Sequence, residues 1–287
     1  MTRLVDAATV ERYLTPEMAF EAMERCFALE AAGETGPVSR TDLTHSEGWM
    51  RVLPAVFEGL GVFGHKVISF NRGIGVRYVV SMFDVESGDL RAIVDAEAIT
   101  GFRTGATAAL AASRICREGV RVAAIVGTGS VARNQLPALQ LVRMVPEIRV
   151  FSRNPDNRKD FIDQMRSVVS ADLVEAGSVD EAIEGAGIVS LATKSPEPVF
   201  SARHLAAGMH VSSVGSARPS LSELEPDTFA RFDRVVCDSV ELVFSESGDA
   251  IAAASSGLYD SSNAVDLASI VGEPGPGDPD STTLFKS

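Results

Sequence analysis

A short glycine-rich stretch near the middle of the chain has the residue types and spacing of an anion-binding turn. In RVAAIVGTGSVARNQL, Gly127, Gly129 and Ala132 form the pattern G-x-G-x-x-A between an apolar run and a helix-like segment. Such glycines permit a tight turn and let the backbone approach a pyrophosphate, while the alanine lets the helix pack closely on its strand. The helix N-terminus offers unpaired N–H groups to the same anion. Rather than an ordinary glycine turn, we predict a dinucleotide site contacted by Gly127, Thr128, Gly129, Ser130 and Val131.

The end of the next strand candidate indicates which dinucleotide would bind. An acidic residue at this place would hold the ribose 2′-hydroxyl of NAD, but RVFSRNPDNR carries Ser152, Arg153 and Asn154 there. A serine and an arginine can bind a 2′-phosphate that a carboxylate would repel, and Arg158 follows about one helical turn later. The pattern favours NADP(H), with NAD(H) possible, unless Arg153 is only a solvated surface residue.

The elements around the glycine turn alternate between strand and helix. Residues 120–254 contain six short β-rich runs, which read RVAAIVG, IRVFSR, ADLVEA, GIVSLAT, MHVSSVG and RVVCDS. Helix-length segments connect the first of these runs to one another. This rhythm is typical of a doubly wound parallel sheet, whose ligands bind at the carboxyl ends of the strands. We therefore expect the cofactor also to contact Thr193 and Lys194, after the fourth run, and Val214 and Gly215, after the fifth.

The first part of the chain lacks this regular alternation. TPEMAFEAMERCFALEAAG predicts a helix with Thr15 as N-cap and Pro16 at its first position. Short strand candidates follow, VESGDL predicts a hairpin between two of them, and AEAITGFRTGATAALAASRIC predicts a long alanine-rich helix. The sequence thus predicts an α/β fold, with a Rossmann doubly wound parallel sheet and a linker in residues 120–279 and a smaller α+β domain in residues 1–119.

Composition limits the classes of function. The net charge of −13 disfavours a nucleic-acid surface, and no apolar run is long enough to cross a bilayer. The N-terminal MTRLVDAATVERYL lacks the apolar stretch and cleavage site of a signal peptide, so we expect a cytoplasmic protein without nucleic-acid or membrane partners. The three cysteines and the histidines have no metal-ligand spacing, so no metal site is predicted.

Several segments together resemble the ornithine cyclodeaminase/mu-crystallin family. They run through most of the chain, from GHKVISF and FRTGATAALAA through the glycine turn to VGSARPSLSEL, VVCDS and TTLFKS. The resemblance implies a homodimer in which a Rossmann domain joins a substrate-binding and dimerisation domain, here residues 1–119 with residues 280–287 expected to return to it. The family includes cyclodeaminases, alanine dehydrogenases, ketimine or imino-acid reductases and an NADPH-binding lens protein, so membership leaves the reaction open.

Three basic residues match family positions that grip the substrate carboxylate. The resemblance gives this role to Arg40 in PVSRTDL, Lys66 in GHKVIS and Arg103 in FRTGAT. A planar carboxylate suits bidentate guanidinium binding, and Lys66 could also move a proton if burial lowers its pKa. Lys66 and Arg103 are accordingly the predicted catalytic residues, and Thr104 is expected to approach the cofactor at the domain junction.

Two positions depart from the family pattern. Cyclodeaminases carry an acid/base aspartate where VGSARP has Ala217, which cannot transfer a proton, and this version is more similar to the mu-crystallin and ketimine-reductase branch. In NRGIGVRYV, Arg77 and Tyr78 fall near a substrate-contacting His-Gln pair of the relatives. Arg77 would suit a second acidic group on the substrate, unless it faces solvent.

These observations favour an NAD(P)H-dependent oxidoreductase that acts on the C=N or C–NH2 group of a small carboxylated 2-imino or 2-amino acid. Two alternatives stay open. One is a cyclodeaminase-type ammonia lyase that uses NAD catalytically and shows no net cofactor turnover. The other is a non-enzymatic protein of mu-crystallin type that binds NADPH and a small ligand without turnover.

Overall fold

The computed structural model describes residues 1–35, 40–276 and 278–287. Within those ranges the strands form a six-stranded sheet, here the N-terminal sheet, and an eight-stranded sheet, here the Rossmann sheet. The elements of the N-terminal part are β1 (Arg3–Val5), α1 (Ala7–Tyr13), α2 (Pro16–Ala31), β2 (Thr41–His45), β3 (Gly48–Phe57), β4 (Val62–Asn71), β5 (Gly75–Asp84), β6 (Leu90–Asp95) and α3 (Glu97–Ile115).

The remaining elements belong to the Rossmann part. Its first half contains β7 (Val122–Val126), α4 (Ser130–Val142), β8 (Glu147–Phe151), α5 (Pro155–Met165), β9 (Asp172–Glu175), α6 (Val179–Ile183), β10 (Ile188–Leu191) and β11 (His210–Ser213). Its second half contains β12 (Arg234–Cys237), α7 (Val240–Glu246), α8 (Gly248–Ser255), β13 (Ala264–Asp266), α9 (Leu267–Ile270) and β14 (Thr283–Lys286). Short 3-10 helices lie at Glu58–Leu60, Ala202–His204, Pro226–Arg231 and Ser261–Asn263.

The N-terminal sheet has the strand order β1-β6-β5-β4-β3-β2, and neighbours are antiparallel except for the β1–β6 pair. The predicted hairpin is confirmed: β5 and β6 are joined by a turn in which Asp84 accepts hydrogen bonds from the N–H groups of Glu86 and Ser87. The predicted first helix is also confirmed as α2, because Thr15 Oγ1 accepts from Met18 N at its N-terminus and Pro16 is its first residue.

Alternate residues of the long strands face opposite sides of the N-terminal sheet. Lys66 is opposite Val80, and Ile68 is opposite Tyr78, so Lys66 and Tyr78 point to the same face. Arg77, one residue earlier, points to the other face. The inner face carries Lys66, and the outer face carries Arg77.

The alanine-rich helix α3 connects the two parts of the molecule. Residues 104–112 of this helix are buried, and α3 packs against both α2 and α4. At Gly105 a Cβ atom would lie 2.4 Å from the carbonyl oxygen of Asn134, so only a glycine allows α4 to approach this closely. The small side chains of α3, the helix that carries Arg103, thus let it pack closely against α4, the helix that follows the glycine turn.

The Rossmann sheet has the order β13-β12-β14-β11-β10-β7-β8-β9, and neighbouring strands are parallel throughout. All six strands predicted from the sequence are present as β7 to β12. The order reverses between β7 and β10, which places a crevice at the carboxyl ends of these two strands. Buried apolar side chains cover both faces of the sheet.

The expectation for residues 280–287 is wrong. Instead of returning to the N-terminal part, β14 lies between β11 and β12 in the Rossmann sheet and pairs with both. Leu284 and Phe285 point to opposite faces and are both fully buried, which a strand achieves only when helices cover the sheet on both sides. The last described residues are therefore part of the cofactor-domain core.

Candidate active site

The glycine turn leaves β7 at a position that only glycine can occupy. Gly127 has a φ of 112°, and a Cβ atom there would lie 2.3 Å from the carbonyl oxygen of Ala192. Its N–H donates to the carbonyl oxygen of Phe151 at 2.8 Å, which joins the ends of β7 and β8. The conformation and close packing of the protein's own backbone thus require glycine at position 127.

Gly129 has a different reason to be glycine. Its φ is −78°, and no atom lies within 4 Å of the position a Cβ atom would take. It is the N-cap of α4 and has no side chain to accept from the first N–H groups of the helix. The space above Gly129 and these N–H groups suits a pyrophosphate. Ala132, fully buried on the other side, allows α4 to lie close to its strand.

A cleft of about 550 Å³ extends from this turn along the carboxyl ends of β7, β8, β10 and β11. This size is ordinary for a small-molecule or cofactor site. Twelve residues predicted to bind the cofactor line it, namely Gly127, Thr128, Gly129, Ser130, Val131, Ser152, Arg153, Asn154, Thr193, Lys194, Val214 and Gly215. The cleft also exposes Ala217, the position at which cyclodeaminases carry their aspartate.

Two predicted cofactor residues are not among the residues that line the cleft. Thr104 is buried in α3, where its hydroxyl donates to the carbonyl oxygen of Thr100 at 2.8 Å. Arg158 donates to Glu175 at 2.8 Å and to the carbonyl oxygen of Ser152 at 2.7 Å, with its guanidinium over the Phe151 ring. Arg158 therefore holds the end of β8 in place.

The residues that follow β8 form the rim of the cleft. Ser152 Oγ donates to the carbonyl oxygen of Asn154, and the Asn154 side chain caps α5 by accepting from Asp156 N at 2.8 Å. Arg153 is exposed and lines the same end. A flexible guanidinium on this rim can reach a phosphate on an adenosine ribose.

Three basic residues, here called the basic cluster, come together from separate elements: Arg40 before β2, Lys66 on β4 and Arg103 on α3. Burial, together with the positive charges of Arg103 and Arg40, lowers the pKa of Lys66 from 10.5 to about 8. Burial also lowers the pKa of Arg103, and the negative charge of Asp238 opposes this shift. The residues that the resemblance assigned to substrate binding are thus neighbours in space.

Two acidic residues border the basic cluster, and the sequence analysis did not identify them. Glu246, at the end of α7, accepts two hydrogen bonds of 2.6 Å from Arg40. Asp238 directly follows β12; burial raises the pKa of its carboxyl group, although Ser287 Oγ donates to it at 2.6 Å and Arg103 lies nearby. Asp238 could have been found from its place after a strand in VVCDS, whereas no local signal marks Glu246.

Asp238 also relates the basic cluster to the cleft. It stands at the carboxyl end of β12, and Thr193 and Val214 stand at the carboxyl ends of β10 and β11 in the same parallel sheet. All three lie at one edge, so Arg103 beside Asp238 faces the edge along which the cleft runs. Tyr78 shares the inner face with Lys66 and lies near Arg103.

Arg77 is not brought to the basic cluster. It is exposed on the outer face of the N-terminal sheet, and its guanidinium donates to the carbonyl oxygen of Val76 at 2.8 Å. Arg77 therefore matches the alternative given in the sequence analysis, an arginine that faces solvent.

Among the described residues, no group of three or more His, Cys, Asp or Glu side chains could hold a metal ion. Crossing a bilayer would need a length and apolar content that no helix within the described ranges reaches.

Comparisons with known proteins agree with this architecture. The model of the ornithine cyclodeaminase/mu-crystallin family matches residues 1–287. A Delta(1)-pyrroline-2-carboxylate reductase of Bacillus cereus is 30% identical over 245 residues, covering 82% of this chain and 75% of that protein. The ketimine reductase mu-crystallin of Mus musculus is 28% identical over 246 residues, covering 84% and 75% respectively.

A solved structure shows the same fold. Thermococcus litoralis Delta(1)-pyrroline-2-carboxylate reductase, in complex with NADH and L-proline, has a TM-score of 0.92 to this chain at 29% identity. The match covers 99% of this chain and 91% of that one. The predicted fold class, a Rossmann sheet with a smaller second domain, is confirmed.

Proposed function

The chain belongs to the ornithine cyclodeaminase/mu-crystallin family, and on that basis we propose that it is an NAD(P)H-dependent reductase of a small 2-imino acid. The observation that carries the proposal is the basic cluster, in which Lys66 has a pKa of about 8 because it is desolvated and lies near the positive charges of Arg103 and Arg40. A substrate with a carboxylate next to a C=N bond matches both features, because it needs a cation pair and a proton donor.

The residues of the cluster have separable roles in this reaction. Arg103 and Arg40 bind the carboxylate, and Glu246 fixes the Arg40 guanidinium in a single orientation. A bound reduced nicotinamide would supply the hydride to the imine carbon. Lys66 Nζ donates a proton to the imine nitrogen, so the substrate gains one hydride and one proton and becomes an amine. A pKa of about 8 allows Lys66 to give up a proton and regain it from water near neutral pH.

Ala217 distinguishes this reaction from cyclodeamination. Its methyl group lines the cleft where a cyclodeaminase would need a carboxylate to accept and return a proton on the substrate amine. No such group occupies that position, so the reductase chemistry with Lys66 as the proton donor fits the cleft better. Two relatives, a pyrroline-2-carboxylate reductase and a ketimine reductase, support the same choice.

The relatives also suggest the first substrate to try. Both the Bacillus cereus and the Thermococcus litoralis proteins are named for Delta(1)-pyrroline-2-carboxylate, a cyclic 2-imino acid. This compound carries one carboxylate, and Arg77, the candidate for a second acidic group, lies on the opposite face of the sheet. A monocarboxylic imino acid is therefore the proposed substrate class.

We propose NADP(H) as the preferred cofactor, because Arg153 is exposed at the rim and Ser152 takes the place of an acidic residue. Arg158 contributes indirectly, by holding the Ser152 carbonyl group. NAD(H) stays the alternative, since the Thermococcus litoralis structure contains NADH.

The test of the proposed function is a turnover assay with both cofactors. Purified protein is mixed with Delta(1)-pyrroline-2-carboxylate and NADPH or NADH, and loss of the reduced cofactor is compared with the amount of proline formed. We expect one cofactor oxidised for each proline. Ornithine converted to proline and ammonia without net cofactor change would establish a cyclodeaminase instead. Tight cofactor binding without turnover of any 2-imino acid would support the binding-protein alternative.

We further propose that two copies of the chain associate through the outer face of the N-terminal sheet. Val56, Phe63 and Val79 share that face and are 45%, 37% and 39% exposed, although all three are large and apolar. Large apolar side chains that are exposed together on one sheet face favour a self-complementary contact with a second copy. It leaves the inner face, with Lys66, free for the substrate.

Light scattering after gel filtration tests this association. We expect a dimer for the wild type and a monomer for Phe63→Glu/Val79→Glu. Val174→Glu, at an exposed apolar residue of β9 in the other sheet, is the control and should leave the dimer intact. A monomeric wild type at micromolar concentration would contradict the proposal.

A further inference from the structure

Three charged side chains lie fully buried behind the cofactor cleft: Glu223, Asp249 and Lys286. We call them the buried charge cluster. A buried charge is costly unless an opposite charge and hydrogen bonds replace its water, so each of these residues needs a reason to be there. They come from a loop after β11, from α8 and from β14, and the mechanism above uses none of them.

Lys286 and Asp249 form the inner pair of the cluster. The ammonium of Lys286 lies 3.4 Å from Asp249 Oδ1 and donates to Ser213 Oγ at 3.0 Å and to Ser216 Oγ. The carboxylate of Asp249 in turn accepts from the backbone N–H groups of Glu223 and Leu224, at 3.0 and 3.2 Å. Asp249, neutralised by Lys286, thus fixes the backbone of the segment that carries Glu223.

Glu223 joins two strand ends that line the cleft. Its Oε1 accepts from Thr193 N at 2.6 Å and from Thr193 Oγ1 at 2.9 Å, beyond the end of β10. Its Oε2 accepts from Gly215 N and from Ser213 Oγ, both at 2.8 Å, at the end of β11. One carboxylate therefore receives four hydrogen bonds and sets the spacing of the two strand ends.

The conformation at Gly215 depends on this carboxylate. A Cβ atom at Gly215 would lie 2.4 Å from Glu223 Oε1 and 2.0 Å from the carbonyl oxygen of Thr193. Glycine at this position lets the carboxylate sit directly beneath the backbone that lines the cleft. The sequence analysis predicted that Thr193 and Gly215 contact the cofactor, but it did not identify what holds them.

We propose that Glu223 is a positioning residue that holds the ends of β10 and β11 in the geometry that receives the nicotinamide ring, with Lys286 and Asp249 fixing Glu223 from behind. This inference rests on the proposed function, because it assumes a dinucleotide in the cleft. The adenosine would contact the rim after β8, which is two strands away from β10 in the order β11-β10-β7-β8, so the adenosine and nicotinamide ends of the cofactor report on different regions.

Glu223→Gln tests the role with little change of shape. The amide oxygen can still accept from one strand end, but the amide NH2 then faces a backbone N–H of Thr193 or of Gly215. Hydroxyl groups can rotate to accept from the amide, whereas a backbone N–H cannot. One strand end therefore loses its partner and can move. Ser213→Ala is a milder variant, which removes only the hydroxyl between Lys286 and Glu223.

The measurement is calorimetric binding of two ligands, the intact reduced dinucleotide and the matching ADP-ribose, which lacks the nicotinamide and carries the 2′-phosphate if NADPH is preferred. For Glu223→Gln we expect about tenfold weaker binding of the dinucleotide, the order of one lost hydrogen bond, with binding of the ADP-ribose unchanged. Ser213→Ala should give a smaller loss of the same kind. The control is Ser190→Ala, at an equally buried serine of β10.

The possible outcomes separate this inference from the proposed function. Equal weakening of both ligands, or unchanged binding of both, would overturn the role of Glu223 while leaving the proposed function intact. If Glu223→Gln does not fold, the comparison of Ser213→Ala with Ser190→Ala decides in the same way. Failure of the wild type to bind either ligand would overturn the proposed function and this inference with it.

Discussion

The cofactor cleft and the basic cluster face the same edge of the Rossmann sheet, but the chain builds them differently. The phosphate end of the cleft comes from consecutive residues, because Gly127 turns the chain sharply and α4 begins three residues later. The basic cluster joins Arg40, Lys66 and Arg103 from three separate elements. A site made by local backbone can be identified from its sequence, whereas a site made by side chains from distant segments depends on the whole fold.

The largest expected effect separates the two regions by function. Lys66→Met should lower kcat/KM for the imino acid by about 1,000-fold, as expected for loss of a proton donor that also binds the carboxylate. Because Lys66 does not line the cleft, the cofactor dissociation constant should change less than about twofold, within the scatter of distant substitutions. Steady-state kinetics and a fluorescence titration measure the two quantities. Lys159→Met, at an exposed residue of α5, is the control, and comparable weakening of cofactor binding by Lys66→Met would contradict the separation.

The two glycines of the turn provide the next comparison. Gly129→Ala should weaken dinucleotide binding by about 100-fold without lowering the melting temperature, because the added methyl group enters open space above α4 and blocks the pyrophosphate. Gly127→Ala should lower the melting temperature itself, because its φ of 112° and the Ala192 carbonyl group exclude a side chain. Thermal unfolding and cofactor titration of both variants measure the difference. Equal melting temperatures for the two variants would show that the backbone at Gly127 is less constrained than the structure implies.

The pH dependence of kcat/KM should reflect the titration of Lys66 in the basic cluster and not the cofactor cleft. The pKa of Lys66 is lowered to about 8 from 10.5, so its ammonium is lost as the pH rises through 8. Imine reduction needs that proton, so kcat/KM should fall about tenfold for each pH unit above 8. Oxidation of the amino acid needs the neutral amine of Lys66, so its kcat/KM should instead rise as the pH approaches 8 and level off above it. A pH profile for Lys66→Arg, which keeps the charge, should lack this transition, and an unchanged profile would assign it to another group.

The smallest effect concerns the rim of the cleft. Arg153→Ala should weaken NADPH binding about tenfold, the order of one charge-assisted contact, and leave NADH binding unchanged. Fluorescence titrations with both cofactors measure the preference directly. Arg158→Ala is an informative comparison, because loss of its bond to the Ser152 carbonyl oxygen should weaken both cofactors alike. A wild type that prefers NADH would contradict the interpretation of Ser152 and Arg153.

Several parts of the fold could be predicted because their signals are local. Thr15 and Pro16 mark the start of α2, and alternating strand and helix patterns identify β7 to β12. The strand β14 was missed because its short buried run follows a proline- and glycine-rich segment without a helix of its own. Its place between β11 and β12 is decided by the gap that those strands leave in the sheet, which no local pattern records.

The sequence by itself determined the family, the Rossmann fold and the glycine turn, because the residues that carry them are neighbours in the chain. Only the tertiary structure decided which predicted side chains meet. It brought Lys66 and Arg103 together, placed Arg77 on the opposite face of its sheet, and paired Arg158 with Glu175 through a hydrogen bond. It also revealed Glu223, whose four hydrogen bonds come from two strands that only the sheet makes adjacent. The physical reason is that a side chain's role depends on its partners, and those partners are distant in sequence until the sheet and helices have formed.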